Sequence, residues 1–287
     1  MIRGDKNPLF NKNTMDKQTI KILFLGDIVG KPGRLAVRDF LLQNRQNYDF
    51  VIANGENASH GFGLTQKNYD NLISYGINCI TSGNHIWDKR EIFEYINNAD
   101  KLVRPFNYPD SVLGAGYRIF ELSNGIKIGV INALGNVFMG YTDSPWTKIK
   151  QITEEIKKET PIVVMDFHAE ATAEKICFGK YCSDAGISAF FGTHTHVPTA
   201  DEKIMNNMAY ITDAGYCGAI DGVIGMEYET SLNRFLTYLP ERFEVAESAD
   251  VQINGVEAEI DTATGYAVNI KRVYCVSNIK ENEENES

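Results

Sequence analysis

An α/β fold with mixed sheets is predicted by three observations on the 287 residues. Apolar β-rich runs alternate with helical patterns through the first third of the chain, the arrangement of a largely parallel, buried sheet. Later runs are joined by Asn-Gly dipeptides, which suit the positive φ of a hairpin turn and so imply antiparallel pairing. The strand-then-polar-loop pattern returns at PIVVMDFHAE and ISAFFGTHTHV. Together these disfavour a simple dinucleotide-binding arrangement.

In chain order, MIRGDKNPLFNKNTMDKQT is polar and aperiodic and contains a second methionine, Met15, so residues 1–19 read as a flexible extension. IKILFLGDIVG reads as strand then loop, Gly33 to Asn44 as helix, FVIANGEN as strand then loop, Thr65 to Tyr75 as helix and NCITSGNH as strand then loop. YRIFELSNGIKIGVINA reads as a hairpin turning at Asn124-Gly125, and VQINGVEAEI as a second turning at Asn254-Gly255. Lys148 to Glu159 reads as a charged surface helix. No repeat or linker interrupts residues 20–279, which are taken as one domain, and KENEENES, over 280–287, as an acidic disordered tail.

Composition narrows the function classes. No apolar run approaches the ~20 residues of a membrane-spanning helix, and no secretory apolar block follows the start, so a cytoplasmic protein with no membrane partner is expected. The five cysteines are odd in number and lack any CxxC pair, which argues against a disulfide framework or zinc ribbon and for buried or partly buried free thiols. A net charge of -10 disfavours long nucleic acid, which needs clustered Lys and Arg; RNA stays open as a partner without support from charge. Small phosphorylated substrates fit, because metal ions can supply positive charge locally.

Five segments share one layout, in which a hydrophobic strand stops and a Gly, carboxylate, Asn or His follows. They are FLGD at Asp27, ANGEN at Glu56 and Asn57, SGNH at Asn84 and His85, VVMDFH at His168, and FGTHTH at His194 and His196. Ligands collect beyond the carboxyl ends of strands in open α/β sheets, so these side chains can converge. A lone His is usually a hydrogen-bonded structural residue, but four of this chain's five histidines fall in these segments and only His60 lies outside them. His-x-His on an extended segment puts both imidazoles on one side, and borderline metals accept imidazole with carboxylate. Asn84 alone reads as a turn-capping residue; beside His85 it becomes a candidate ligand. Asp166 reads either as an outer partner of His168 or as an ordinary strand-end acid. Lys31 and Arg34 read as solvated charge, and Phe138, Tyr141 and Trp146, in a long loop, as packing or an oligomer contact.

The ordered blocks GDIVG, GEN, GNH and GTHTH resemble those of the calcineurin-like metallophosphoesterases. Wider blocks, GDIVGKPGR, NGENASHGFGLT, SGNHIWDK, LVRP, DFHAEATAEK, GTHTHVPTAD, ITDAGYCG and GVIGM, resemble the YmdB-like phosphodiesterase branch over roughly Ile20 to Val276. The resemblance implies a four-layer αββα sandwich with mixed sheets. It also implies two metal ions, iron, manganese or zinc, one held by Asp27, Glu56, His196 and Asn57 and the other by Glu56, Asn84, His168 and His194. Val29 stands where the wider superfamily has a ligand His, and Asn57 is the replacement in or near that coordination sphere. His85 is implied as the general acid beside a metal-bridging hydroxide, 2′,3′-cyclic nucleotides or related phosphodiesters as substrates, and a homo-oligomer as the assembly. The alternative from another class is a regulatory nucleotide-sensing or scaffold protein whose catalysis is incidental.

Overall fold

The computed structural model describes residues 19–279; residues 1–18 of the extension assigned to 1–19 and the tail at 280–287 lie outside them. Thr19, assigned to the extension, already pairs with Asp261. In chain order the elements are β1 (Thr19–Leu25), β2 (Asp27–Ile28), α1 (Gly30–Asn44), β3 (Phe50–Asn54), α2 (Gln66–Ser74), β4 (Cys79–Thr81), α3 (Ile92–Tyr95), β5 (Leu102–Val103), β6 (Tyr117–Glu121), β7 (Lys127–Leu134) and α4 (Pro145–Lys157). They continue with β8 (Val163–His168), α5 (Thr172–Ala185), β9 (Ala189–Thr193), β10 (Lys203–Met205), β11 (Met208–Ile211), β12 (Tyr216–Ala219), α6 (Tyr228–Thr237), β13 (Asp250–Asp261) and β14 (Ala267–Asn278).

Two mixed sheets result. One runs β2-β12-β13-β1-β3-β4-β5 with β14 paired to β13; the other runs β10-β11-β9-β8-β7-β6. Strand alternation sorts side chains into layers. Ile20, Ile22 and Phe24 of β1, with Phe50 and Ile52 of β3, meet Val164, Phe191 and Ile211 of the second sheet. The Phe24 and Phe191 rings lie 4.9 Å apart across that interface. Leu23, Leu25, Val51 and Ala53 point the other way, onto Val37 and Leu41 of α1 and Leu72 of α2. On the far face of the second sheet Met165, Phe167, Phe190 and Tyr210 pack on Ile149 and Ile156 of α4 and Phe178 and Cys182 of α5. The layers are therefore helix, sheet, sheet, helix, and the αββα sandwich is the fold.

Both central strand sets are parallel, β1-β3-β4-β5 and β11-β9-β8-β7, so their carboxyl ends come out on common edges. Buried on both faces, they read as continuous apolar runs in the sequence.

Several local expectations change. The β6-β7 hairpin forms, with a connection over 122–126 in which Gly125 takes φ 82°. Asn254-Gly255 is not a turn: β13 runs through it, Gly255 pairing with Leu25 and Val273, and β13 and β14 turn instead over 262–266. The glycine is there for close approach, since a Cβ would clash with the Phe24 carbonyl oxygen. Asn254 Nδ2 donates to the Tyr216 carbonyl at 2.8 Å. Helix α1 starts three residues earlier than the periodicity predicts, and α4 takes in Trp146, which packs 4.8 Å from Phe178 rather than lying in a loop. Phe138 and Tyr141 stay exposed rather than packed. Helix α5 carries no clear apolar stripe, burying Lys175 and Gly179 beside Phe178 and Cys182, whereas α6 is amphipathic but leaves Phe235 and Leu236 exposed and buries only Ser231. Cys177 is exposed, whereas Cys79, Cys182 and Cys217 are buried and all five thiols are free. Arg34 is no solvated charge; its Nη1 donates to the Ala58 carbonyl and ties α1 to the loop after β3.

Candidate metal centre

Each strand end delivers one part of the site. Asp27 follows β1, Glu56 and Asn57 follow β3, Asn84 and His85 follow β4, His168 ends β8, and His194 and His196 follow β9. Asp27, Glu56, Asn57, His168 and His196 are all buried. His168 Nε2 lies 2.8 Å from Glu56 Oε1 and 3.0 Å from His194 Nδ1. Glu56, His168 and His194 thus form a compact group of ligand atoms suited to one cation. Beside it, His196 Nε2 lies 3.2 Å from Asn57 Nδ2 and 3.9 Å from Asp27 Oδ1, while Asn57 Nδ2 lies 3.3 Å from Glu56 Oε1. Glu56 stands between the two groups. Its other oxygen, Oε2, accepts from the His85 backbone N–H at 3.0 Å.

The donor set fits metal ions on an observation independent of its composition. Asp27 Oδ1, Asn57 Oδ1 and Asn84 Oδ1 are buried without a hydrogen-bond partner. Such an oxygen costs ~1–3 kcal/mol when left unpaired, and a carboxylate costs more. Three such oxygens on the same strand-end segments as Glu56 and the imidazoles are groups that a cation could partner. Gly83 keeps the space clear, because a Cβ there would clash with Glu56 Oε2 and His168 Nε2.

The imidazoles are aimed by what holds their outer nitrogens. His168 Nδ1 donates to Thr193 Oγ1 at 2.9 Å, and Thr193 donates onward to Asp166 Oδ1 at 2.6 Å, so Asp166 acts on the imidazole through a hydroxyl. Asn54 Nδ2 donates to the other Asp166 oxygen at 2.9 Å. His196 Nδ1 donates to the Ile224 carbonyl at 2.8 Å, which gives the GVIGM block its place. His194 and His196 have φ of 100° and 64°, backbone conformations that cost of order 1–3 kcal/mol each unless the surroundings fix them. Here Asp213 does so: its Oδ2 accepts from the Thr195 N–H at 3.1 Å, from Thr195 Oγ1 at 2.7 Å and from the buried Lys175 Nζ at 2.6 Å. Asp27 Oδ2 also accepts from the His194 N–H at 3.2 Å.

His85 is separate from these groups, part-exposed at the rim, with Nδ1 2.8 Å from Asp88 Oδ2. Phe62 meets its ring edge-on at 4.8 Å. His60 is exposed, on backbone with φ 57°. Sequence reasoning did not single out Asn54, Asp88, Glu170, Lys175, Thr193, Asp213 or Ile224. All of them sit in blocks that the resemblance quotes, but nothing in those letters says which residues meet.

In the metal-free protein the site is a charged pair. Burial works against the charge on His168, but Glu56 beside it wins and raises His168 to about 9; burial likewise opposes the Glu56 charge, and His168 pulls Glu56 down to about 2. Burial, followed by the His168 charge, lowers His194 to about 3, and burial raises Asp166 to about 6. Asp27 is raised by burial against the pull of His196 and His168. Because the His168 value lies above its ordinary 6.5, its proton is held at neutral pH and lost as pH rises through about 9. A cation must displace that proton. Metal uptake at pH 7 is thus expected to release about one proton and to tighten about tenfold per pH unit up to pH ~9, where the release ends. Calorimetric titration in buffers of different ionisation heat reads both, and a proton release of zero at pH 7 contradicts the pairing.

The family model described as YmdB-like protein matches residues 23–273. The 2′,3′-cyclic-nucleotide 2′-phosphodiesterase of Bacillus subtilis (strain 168) is 46% identical over 257 residues, covering 88% of this chain and 96% of that protein. A crystal structure of a novel phosphatase from Mycoplasma pneumoniae is similar at a TM-score of 0.83 and 38% identity, covering 91% of this chain and 95% of the other. A hypothetical protein from Thermus thermophilus gives 0.84 and 35%, covering 90% and 100%. Fold, strand-end site and these likenesses agree: the chain belongs to the YmdB-like family, a phosphodiesterase branch of the calcineurin-like metallophosphoesterases.

Proposed function

We propose that this enzyme hydrolyses 2′,3′-cyclic nucleotides or closely related phosphodiesters at a site built for two metal ions. The observation that carries the reading is the set of partnerless buried oxygens of Asp27, Asn57 and Asn84, gathered with Glu56 and three imidazoles at one edge of the two sheets. The substrate class is that of the 46% identical Bacillus subtilis relative. In this reading Asp27, Glu56, Asn57 and His196 hold one ion, and Glu56, Asn84, His168 and His194 the other. Such ions, iron, manganese or zinc, neutralise phosphoryl oxygens and lower the pKa of a water.

The remaining work falls to the chain. Asp88 holds His85 by Nδ1, leaving Nε2 to give its proton to the departing ribose oxygen. The Glu56 carboxylate fixes the backbone of that same His85, so the acid and the ion-binding groups keep one spacing. The net charge of -10 is no obstacle, because the positive charge on the phosphate side is brought by the ions.

Among the described residues no helix is long and apolar enough to cross a membrane. Assembly as a homo-oligomer in the cytoplasm is part of the same reading. Metal-reconstituted protein is expected to hydrolyse 2′,3′-cyclic AMP to one monophosphate, followed by chromatography. Glu56→Gln is expected to lower both bound metal and turnover at least ~100-fold, since it weakens two sites at once and loss of a ligand's outer partner alone costs about 10–100-fold. Unchanged turnover and metal content in Glu56→Gln would sink the reading.

A further inference from the structure

We infer that Glu170 is the positioning residue of His194, fixing which imidazole nitrogen that side chain turns toward the metal centre. The inference rests on the reading of His194 as a metal ligand. His168 and His196 direct Nε2 inward, with Nδ1 held from outside by Thr193 and by the Ile224 carbonyl. His194 is reversed. Its Nδ1 faces His168 Nε2 at 3.0 Å, and its Nε2 lies 3.0 Å from Glu170 Oε2.

A neutral imidazole carries one N–H, and the partner that accepts it decides which nitrogen keeps a lone pair. A carboxylate has no hydrogen to give, so Glu170 selects the Nε2–H form and leaves the Nδ1 lone pair for a cation. Glu170 is half-exposed and follows His168 by two residues, so the loop that ends β8 supplies both a ligand and the partner of another ligand. Nδ1 is the ring nitrogen nearer the main chain, and His194 follows β9 directly, with φ at 100°. Glu170 also differs in kind from the other two outer partners, a hydroxyl and a peptide oxygen. As a carboxylate it raises the basicity of the ring it accepts from.

The test uses zinc-loaded protein. Glu170→Ala is expected to weaken one of the two metal equivalents about 10–100-fold while the other is retained, read by competition with a chelating dye. Glu170→Gln, whose amide oxygen can still accept from Nε2–H, is expected to recover most of that loss. In nitrogen-15 histidine spectra, the His194 ring of the native protein should be Nε2–H and zinc-bound through Nδ1, and in Glu170→Ala that signature should be lost. Unchanged zinc affinity in Glu170→Ala overturns the inference. So does equal weakening in the Ala and Gln variants, which would make Glu170 a ligand or a bare charge. Melting of the metal-free variants controls for folding, and equal melting temperatures are expected because the side chain is half-exposed. His194→Ala separates the underlying reading: if it retains both metal equivalents, His194 is no ligand and that reading fails, whatever Glu170 does.

Discussion

Replacing His85 by alanine is expected to lower kcat for 2′,3′-cyclic AMP by about 10²–10⁴-fold while leaving both metal equivalents bound. The argument is positional. His85 is the one histidine among the strand-end segments whose ring is not aimed at another ligand atom; it faces Asp88 and Phe62 at the part-exposed rim. A ribose hydroxyl is a poor leaving group and needs a proton as the P–O bond breaks, whereas p-nitrophenolate does not. The same variant is therefore expected to lose far less activity on bis-p-nitrophenyl phosphate. Asp88→Asn should give a smaller loss on the cyclic nucleotide, because the amide can still hold Nδ1. Equal losses on both substrates would mean that His85 acts by placing the substrate or the ions, and would remove it as the acid.

Lys175→Ala is expected to destabilise the protein by ~3–5 kcal/mol, the cost of stranding a buried carboxylate. Lys175 and Asp213 are both about 1% exposed and 2.6 Å apart. The consequence reaches the site, because Asp213 also holds Thr195 between His194 and His196. Denaturant melts should show the loss, and metal affinity should fall with it. The double variant Lys175→Met with Asp213→Asn removes both charges and keeps an acceptor for Thr195, and it should recover much of the stability. A Lys175→Ala protein as stable as the native one would mean that the pair is no support for the loop.

The letters gathered at the strand ends were legible in the sequence because strand ends are. FLGD, NGEN, SGNH, DFH and GTHTH each mark an apolar strand that stops at a residue able to bind a cation, and the parallel order of β1, β3, β4, β8 and β9 then makes convergence a matter of geometry. The resemblance implies Glu56 as the bridge between two metals, and its Oε1 lies near both His168 and Asn57. Other expectations failed for physical reasons. Asn254-Gly255 reads as a turn in isolation, but Gly255 is small because Phe24 crosses it. Helix α5 escapes a periodicity search because its buried face includes a lysine whose partner, Asp213, is 38 residues away.

By itself, then, the sequence determined the α/β layering, the parallel strand ends and the identity of the groups offered there, since alternation and chain punctuation are local properties. Only the tertiary structure decided which nitrogen each imidazole presents, which oxygens remain without a partner and which distant residues hold the His194–His196 loop. Those depend on contacts such as Glu170 with His194, Ile224 with His196 and Lys175 with Asp213, made between elements that meet only when the two sheets close on one another.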